Sequence, residues 1–192
     1  MPTARLFIAA PVSDEVRAAA ARLISRLRAS GADYKWVDPA NLHLTLRFLG
    51  ATSLDRLGEL ETLLRRAARR PAFEVVYEGV GAFPSWDDPK VVWVGVGQGA
   101  ADLAALAAAL GPAEEGRPFS AHLTIGRMRG RRDVARLKAA AGGFAPLRQV
   151  VDRIILFESR LTPQGSIYAA RQEAMLATRG VSTHLKMLPK PS

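Results

Sequence analysis

The sequence predicts an α+β protein built on antiparallel sheets. Three observations carry that prediction. Segments with strand alternation are interleaved twice with amphipathic helical segments, and most connections are too short for the crossover that parallel neighbours require. No Gly-rich phosphate loop introduces a doubly wound sheet. The 192 residues, 48% hydrophobic, suffice to bury a core without covalent staples, and they contain no solenoid repeat and no low-complexity linker.

Residues 5–10 read as an opening strand. Ser13 follows as the N-cap of a helix to about residue 29, with Val16, Ala19, Ala20, Leu23, Ile24 and Leu27 at helical spacing and Gly31 ending it. An extended piece over 34–37 leads through the Asp38-Pro39 turn into a strand over 43–49, which Gly50 is expected to stop. Ser53 then caps a helix to about residue 69, with Leu54, Leu57, Leu60, Leu63 and Leu64 inward and Pro71 closing it. Strands over 73–83 and 91–96 flank the turn-rich stretch 84–89. A helix over 100–110, a strand over 121–128, a helix over 133–141 and two closing strands, 150–159 and 166–176, complete the body. The expected folded unit is residues 1–178, with 179–192 aperiodic and read as a flexible tail.

The absence of cysteine excludes a disulfide framework, a thiolate zinc site and a cysteine nucleophile. With 27 Lys plus Arg against 18 Asp plus Glu, the net charge is +9, carried mostly by Arg, whose planar fork suits phosphate. Anionic partners are favoured, against the competing reading that the charge serves only solubility. The apolar stretch 6–12 contains Pro11 and runs into Asp14 and Glu15, unlike a signal peptide, and no run of 18 apolar residues occurs. The expectation is a soluble, cytoplasmic monomer with no membrane partner.

Two of the three histidines sit in the same tetrapeptide pattern, His43-Leu44-Thr45-Leu46 and His122-Leu123-Thr124-Ile125, 79 positions apart. Chance would follow a given His with Leu-Thr only about 0.5% of the time, a small false-positive risk. The third, His184, lacks the Thr and lies in the tail. In a strand, period two puts His and Thr on one face and the aliphatics on the other. Two such strands facing across a cleft bring together two imidazoles, one able to serve as base and the other as acid, and two hydroxyls held stiffly by β-branching. For each motif alone, the competing reading is a partly buried structural histidine. A metal site needs three or more convergent ligands, and neither motif has an Asp, Glu or further His at ligand spacing, so no metal and no cofactor are expected.

The doubled motif resembles the 2H phosphoesterase superfamily. The wider strings Lys35-Trp36-Val37-Asp38-Pro39-Ala40-Asn41-Leu42-His43-Leu44-Thr45-Leu46-Arg47-Phe48-Leu49-Gly50 and His122-Leu123-Thr124-Ile125-Gly126-Arg127 are similar to its RNA 2′,3′-cyclic phosphodiesterase branch, the LigT-like or 2′-5′ RNA ligase family. So are Arg5 to Ala9, Ser159-Arg160-Leu161, Gly165 and Tyr168. Ala121 departs from the family pattern, which often has Pro before the second His. The resemblance implies a bilobal fold with a central cleft and hydrolysis of 2′,3′-cyclic phosphate ends to 2′-phosphomonoesters. It implies His43 as proton donor, His122 as proton acceptor, and Thr45 and Thr124 on the non-bridging phosphate oxygens.

The family pattern also places an Arg at the position of Arg127 on the phosphate; the competing reading is a surface Arg among Arg129, Arg131 and Arg132. By strict alternation Arg127, five residues after His122, points off the catalytic face, and only a bulge or strand end at Gly126 re-aims it. Phe48 and Phe83 are candidates for base stacking, with core packing as the competitor; Trp36, Trp86 and Trp93 read as packing residues. Rival functions are a cyclic phosphodiesterase for small nucleotides or ADP-ribose cyclic phosphate, the reverse 2′-5′ ligation, and a non-catalytic basic RNA-binding module. The last has no need of two titrating groups in duplicate.

Overall fold

Strand alternation and helical periodicity in this chain bury one apolar face of each element against one of two sheets. The computed structural model describes residues 1–112, 119–130, 133–162 and 165–178. In chain order the elements are β1 (Thr3–Pro11), α1 (Asp14–Arg28), β2 (Tyr34–Trp36), β3 (His43–Ser53), α2 (Leu57–Ala67), β4 (Phe73–Pro84), β5 (Pro89–Val96), α3 (Ala100–Ala109), β6 (His122–Met128), α4 (Val134–Ala140), β7 (Leu147–Val151), β8 (Arg153–Thr162) and β9 (Gly165–Met175). One sheet has the order β3-β1-β8-β9 and the other β2-β6-β5-β4-β7, and every pairing is antiparallel. Helices α2 and α3 pack on the first sheet and α1 on the second, with α4 against α1, while β3 and β6 lie side by side where the sheets meet. No helix among the described residues is long and apolar enough to cross a membrane.

The chain passes repeatedly between the sheets, since β1, β3, β8 and β9 belong to one and the strands between them to the other. A single cluster of buried side chains accordingly spans both lobes, from Leu6 and Ile8 through Leu44 and Leu123 to Leu156. Gln149 on β7 clasps the lobes. Its Oε1 accepts from the Ser13 backbone N–H at 2.9 Å, and its Nε2 donates to the Pro11 carbonyl at 2.8 Å.

The expected helix start at Ser13 is present, its Oγ accepting from the Val16 N–H at 3.3 Å, and Val16, Ala20, Leu23, Ile24 and Leu27 are buried as the periodicity requires. Three expectations are corrected. Gly50 does not stop the third strand; it continues to Ser53, because glycine takes a φ of 65° there and the ladder to β1 resumes beyond it. Ser53 makes no side-chain cap, its Oγ bonding Asp55 instead, and a 3-10 turn, Leu54–Arg56, precedes α2. The expected strand over 150–159 is two strands broken at Asp152, β7 pairing with β4 in one sheet and β8 with β1 in the other. The tail 179–192, with His184, lies outside the described residues, as do Arg131 and Arg132.

Candidate active site

Both His-x-Thr-x motifs open a strand, and both alternate as expected. Leu44 and Leu46 are 1% and 5% exposed and Leu123 and Ile125 are fully buried, which turns His43, Thr45, His122 and Thr124 to the opposite face. The two strands also share a departure from alternation. On β3 the partners in β1 step from Ala9↔Thr45 to Ile8↔Arg47, leaving Leu46 as an extra residue. On β6 the partners in β5 step from Trp93↔Thr124 to Val92↔Gly126, leaving Ile125 extra. Each bulge thus falls three residues after the histidine and inverts the parity of the residues beyond it.

The consequence is symmetric. Phe48, opposite Phe7, joins His43 and Thr45 on the cavity face, while Arg47 turns away and donates to the Leu110 carbonyl. Arg127 joins Thr124 on the cavity face. Gly126 is required at this turn, because a Cβ there would lie 2.7 Å from the Trp36 ring.

A cavity of about 400 Å³ between the sheets is lined by His43, Thr45, Phe48, Thr124 and Arg127, a volume in the range of small-ligand sites. His122 does not itself line this cavity; it lies on the face of β6 that carries Thr124, with its ring against Phe83 and Trp93. Phe83 makes an edge contact at 5.0 Å and 88°, and Trp93 lies at 6.4 Å. Phe83, expected to stack on a base, does not line the cavity; its ring is taken up by His122 and by Trp93 at 5.0 Å. Trp93 in turn lies over Gly81, where any Cβ would collide with its ring. It therefore packs, as expected, but packs beneath a site residue. Phe48 is 40% exposed, with the Arg5 guanidinium 4.6 Å from its ring centroid.

The two imidazoles are held in the same way. His43 Nδ1 lies 2.7 Å from the Asn41 carbonyl oxygen, and His122 Nδ1 lies 2.8 Å from the Ser120 carbonyl oxygen. A carbonyl only accepts, so each Nδ1 carries the proton and each Nε2 is left for chemistry. Burial lowers the pKa of both rings, the backbone bond opposes this, and the Arg127 cation lowers both further. The pair is therefore not divided in advance into a neutral and a protonated member. Both lean neutral, and a bound anion beside Arg127 would restore affinity for a proton.

Residues not assigned a role from sequence complete the lining. Phe7 packs on His43 at 4.8 Å, Tyr168 meets it edge-on at 5.3 Å, and Arg5, Asn41, Ser159 and Ser166 add polar groups. Arg5, Phe7, Ser159 and Tyr168 lie in the flanking strings of the resemblance, whereas nothing in the sequence marks the carbonyls of Asn41 and Ser120. Among the described residues no group of three or more His, Cys, Asp or Glu is placed to hold a metal.

The family model for LigT-like phosphoesterases matches residues 10–93 and 94–168. The RNA 2′,3′-cyclic phosphodiesterase of Archaeoglobus fulgidus is 36% identical over 176 residues, spanning 85% of this chain and 96% of that protein. The one from Thermotoga maritima is 34% identical over 176 residues, spanning 88% and 94%. Among solved structures, E. coli LigT complexed with 3′-AMP matches at a TM-score of 0.72 with 26% identity, covering 92% of this chain and all of that one.

Proposed function

The chain belongs to the LigT-like phosphoesterase family, and from that premise we propose that it hydrolyses 2′,3′-cyclic phosphates at RNA ends to 2′-phosphomonoesters, without a metal, through a single bilobal unit over residues 1–178. His122 Nε2 takes a proton from water, whose oxygen attacks phosphorus. The P–O3′ bond breaks, and His43 Nε2 delivers a proton to the leaving 3′ oxygen. Thr45 and Thr124 donate to the non-bridging oxygens, and Arg127 offsets the charge that builds on them. Phe48 offers its exposed face to the terminal base, and Phe83 holds the His122 ring.

The observation that carries this reading is the duplicated imidazole geometry, each ring fixed by Nδ1–H to the carbonyl two residues upstream, with one guanidinium acting on both. A binding module has no use for that arrangement. With an RNA 5′-hydroxyl in place of water, the same groups work in the same direction: His122 takes the hydroxyl proton, the P–O5′ bond forms as P–O3′ breaks, and His43 protonates the 3′ oxygen, leaving a 2′-5′ linkage, so ligation at high RNA concentration belongs to the proposal. The test is substitution. His43→Ala and His122→Ala should each lower turnover of a cyclic-phosphate RNA on the order of 10²–10⁴. Near wild-type turnover in either variant, with the fold retained by circular dichroism, would remove that histidine from the chemistry.

A further inference from the structure

The catalytic cavity is not closed on the side of Arg127. A second cavity, of about 680 Å³, adjoins it and shares Val37, Asn41, Arg127, Ser166 and Tyr168 with the first. The shared wall is fixed where Asn41 Nδ2 donates to the Ser166 carbonyl at 2.8 Å. Two cations face this second space. Lys35 on β2 and Arg127 on β6 are direct cross-strand partners, so their side chains leave the sheet together on one face. Both are exposed, and neither makes an ion pair or hydrogen bond among the described residues. The carboxylate in the lining, Asp38, is engaged in accepting from the Ala40 N–H at 2.9 Å. The remaining rim carries apolar surface at Ile167, 58% exposed.

A cyclic phosphate terminates the 3′ end of an RNA, so the reacting nucleotide has one neighbour, on its 5′ side, joined through an anionic diester. Resting on the function proposed above, we propose that this second cavity is the subsite for that neighbouring nucleotide. Lys35 meets the internal phosphate beside Arg127, and Ile167 meets the neighbouring sugar or base. Arg127 thereby stands between two phosphates, the reacting one and the internal one. The enzyme is then specific for oligonucleotide ends, and Lys35 is a specificity residue outside the catalytic cavity.

The experiment measures kcat/KM on a 2′,3′-cyclic-phosphate mononucleotide and on a dinucleotide with the same 3′ residue, for wild type, Lys35→Gln and Lys35→Arg. The wild type should prefer the dinucleotide. Lys35→Gln should reduce that preference on the order of tenfold and flatten its salt dependence, because one phosphate contact is gone; Lys35→Arg should retain it. Equal preference in wild type and Lys35→Gln, or no preference in the wild type, would overturn the subsite while leaving the proposed reaction standing. Hydrolysis of neither substrate by the wild type would overturn the reaction itself, and the subsite with it.

Discussion

Replacing Arg127 by Gln tests whether the bulge at Ile125 aims this side chain at the reacting phosphate. A hydrogen bond to a charged group is worth about 1.5–3 kcal/mol, so the loss expected is about 10- to 150-fold in kcat/KM. Exposure of the guanidinium to solvent puts the expectation toward the lower end. Because Arg127 is exposed and makes no hydrogen bond or ion pair among the described residues, folding stability should change by less than about 0.5 kcal/mol. The pH profile separates this role from a general loss of fit. The Arg127 cation lowers the pKa of both His43 and His122, so its removal raises both. In the wild type, kcat/KM should be bell-shaped and centred below the ordinary imidazole value, falling on the acid side as the base protonates and on the alkaline side as the acid loses its proton. In Arg127→Gln both limbs should move to higher pH. The assay is kcat/KM across the acidic to mildly alkaline range on a cyclic-phosphate mononucleotide, with a melting curve beside it. Unchanged activity would mean that the side chain does not meet the phosphate, and a loss with both limbs fixed would mean that it does not face the imidazoles.

The aromatic residues divide by substrate. Phe83→Ala should lower turnover of a nucleotide and of a base-free ribose cyclic phosphate alike, because its ring contacts His122 at 5.0 Å and lies outside the cavity. A loss confined to the nucleotide would return Phe83 to a stacking role. Phe48→Ala should instead cost about 1–3 kcal/mol on the nucleotide and spare the base-free substrate, since stacking on the base is the contribution proposed for it. Equal losses on both would make Phe48 a packing residue.

The difference between Phe48 and Phe83 shows where sequence reading of this chain ends. The doubled His-x-Thr-x pattern and the burial of Leu44, Leu46, Leu123 and Ile125 follow from period two, and both histidines are where alternation puts them. Alternation fails three residues later, because a bulge changes parity without changing composition, so Arg47 and Phe48 exchange faces relative to strict counting. Only at Gly126 does a residue type hint at the irregularity. The division of 147–162 between two sheets is equally hidden. Val150 and Val151 and then Ile154 to Leu156 read as one strand across Asp152 and Arg153, and it is tertiary pairing that assigns the two halves to different sheets. The backbone carbonyls that hold the two imidazoles leave no trace in a sequence, since every residue has one.

In the proposed reaction two imidazoles move the protons without a metal, one giving and one taking, as the cyclic phosphate opens on the 3′ side. The direct measurement is to incubate the protein in EDTA with a short RNA ending in a 2′,3′-cyclic phosphate and to identify the terminal phosphate of the product. Full turnover in chelator is expected, with a 2′-phosphomonoester product that resists a phosphatase specific for 3′-phosphates. A 3′-phosphate product, or turnover lost in EDTA and restored by a divalent ion, would contradict that reaction.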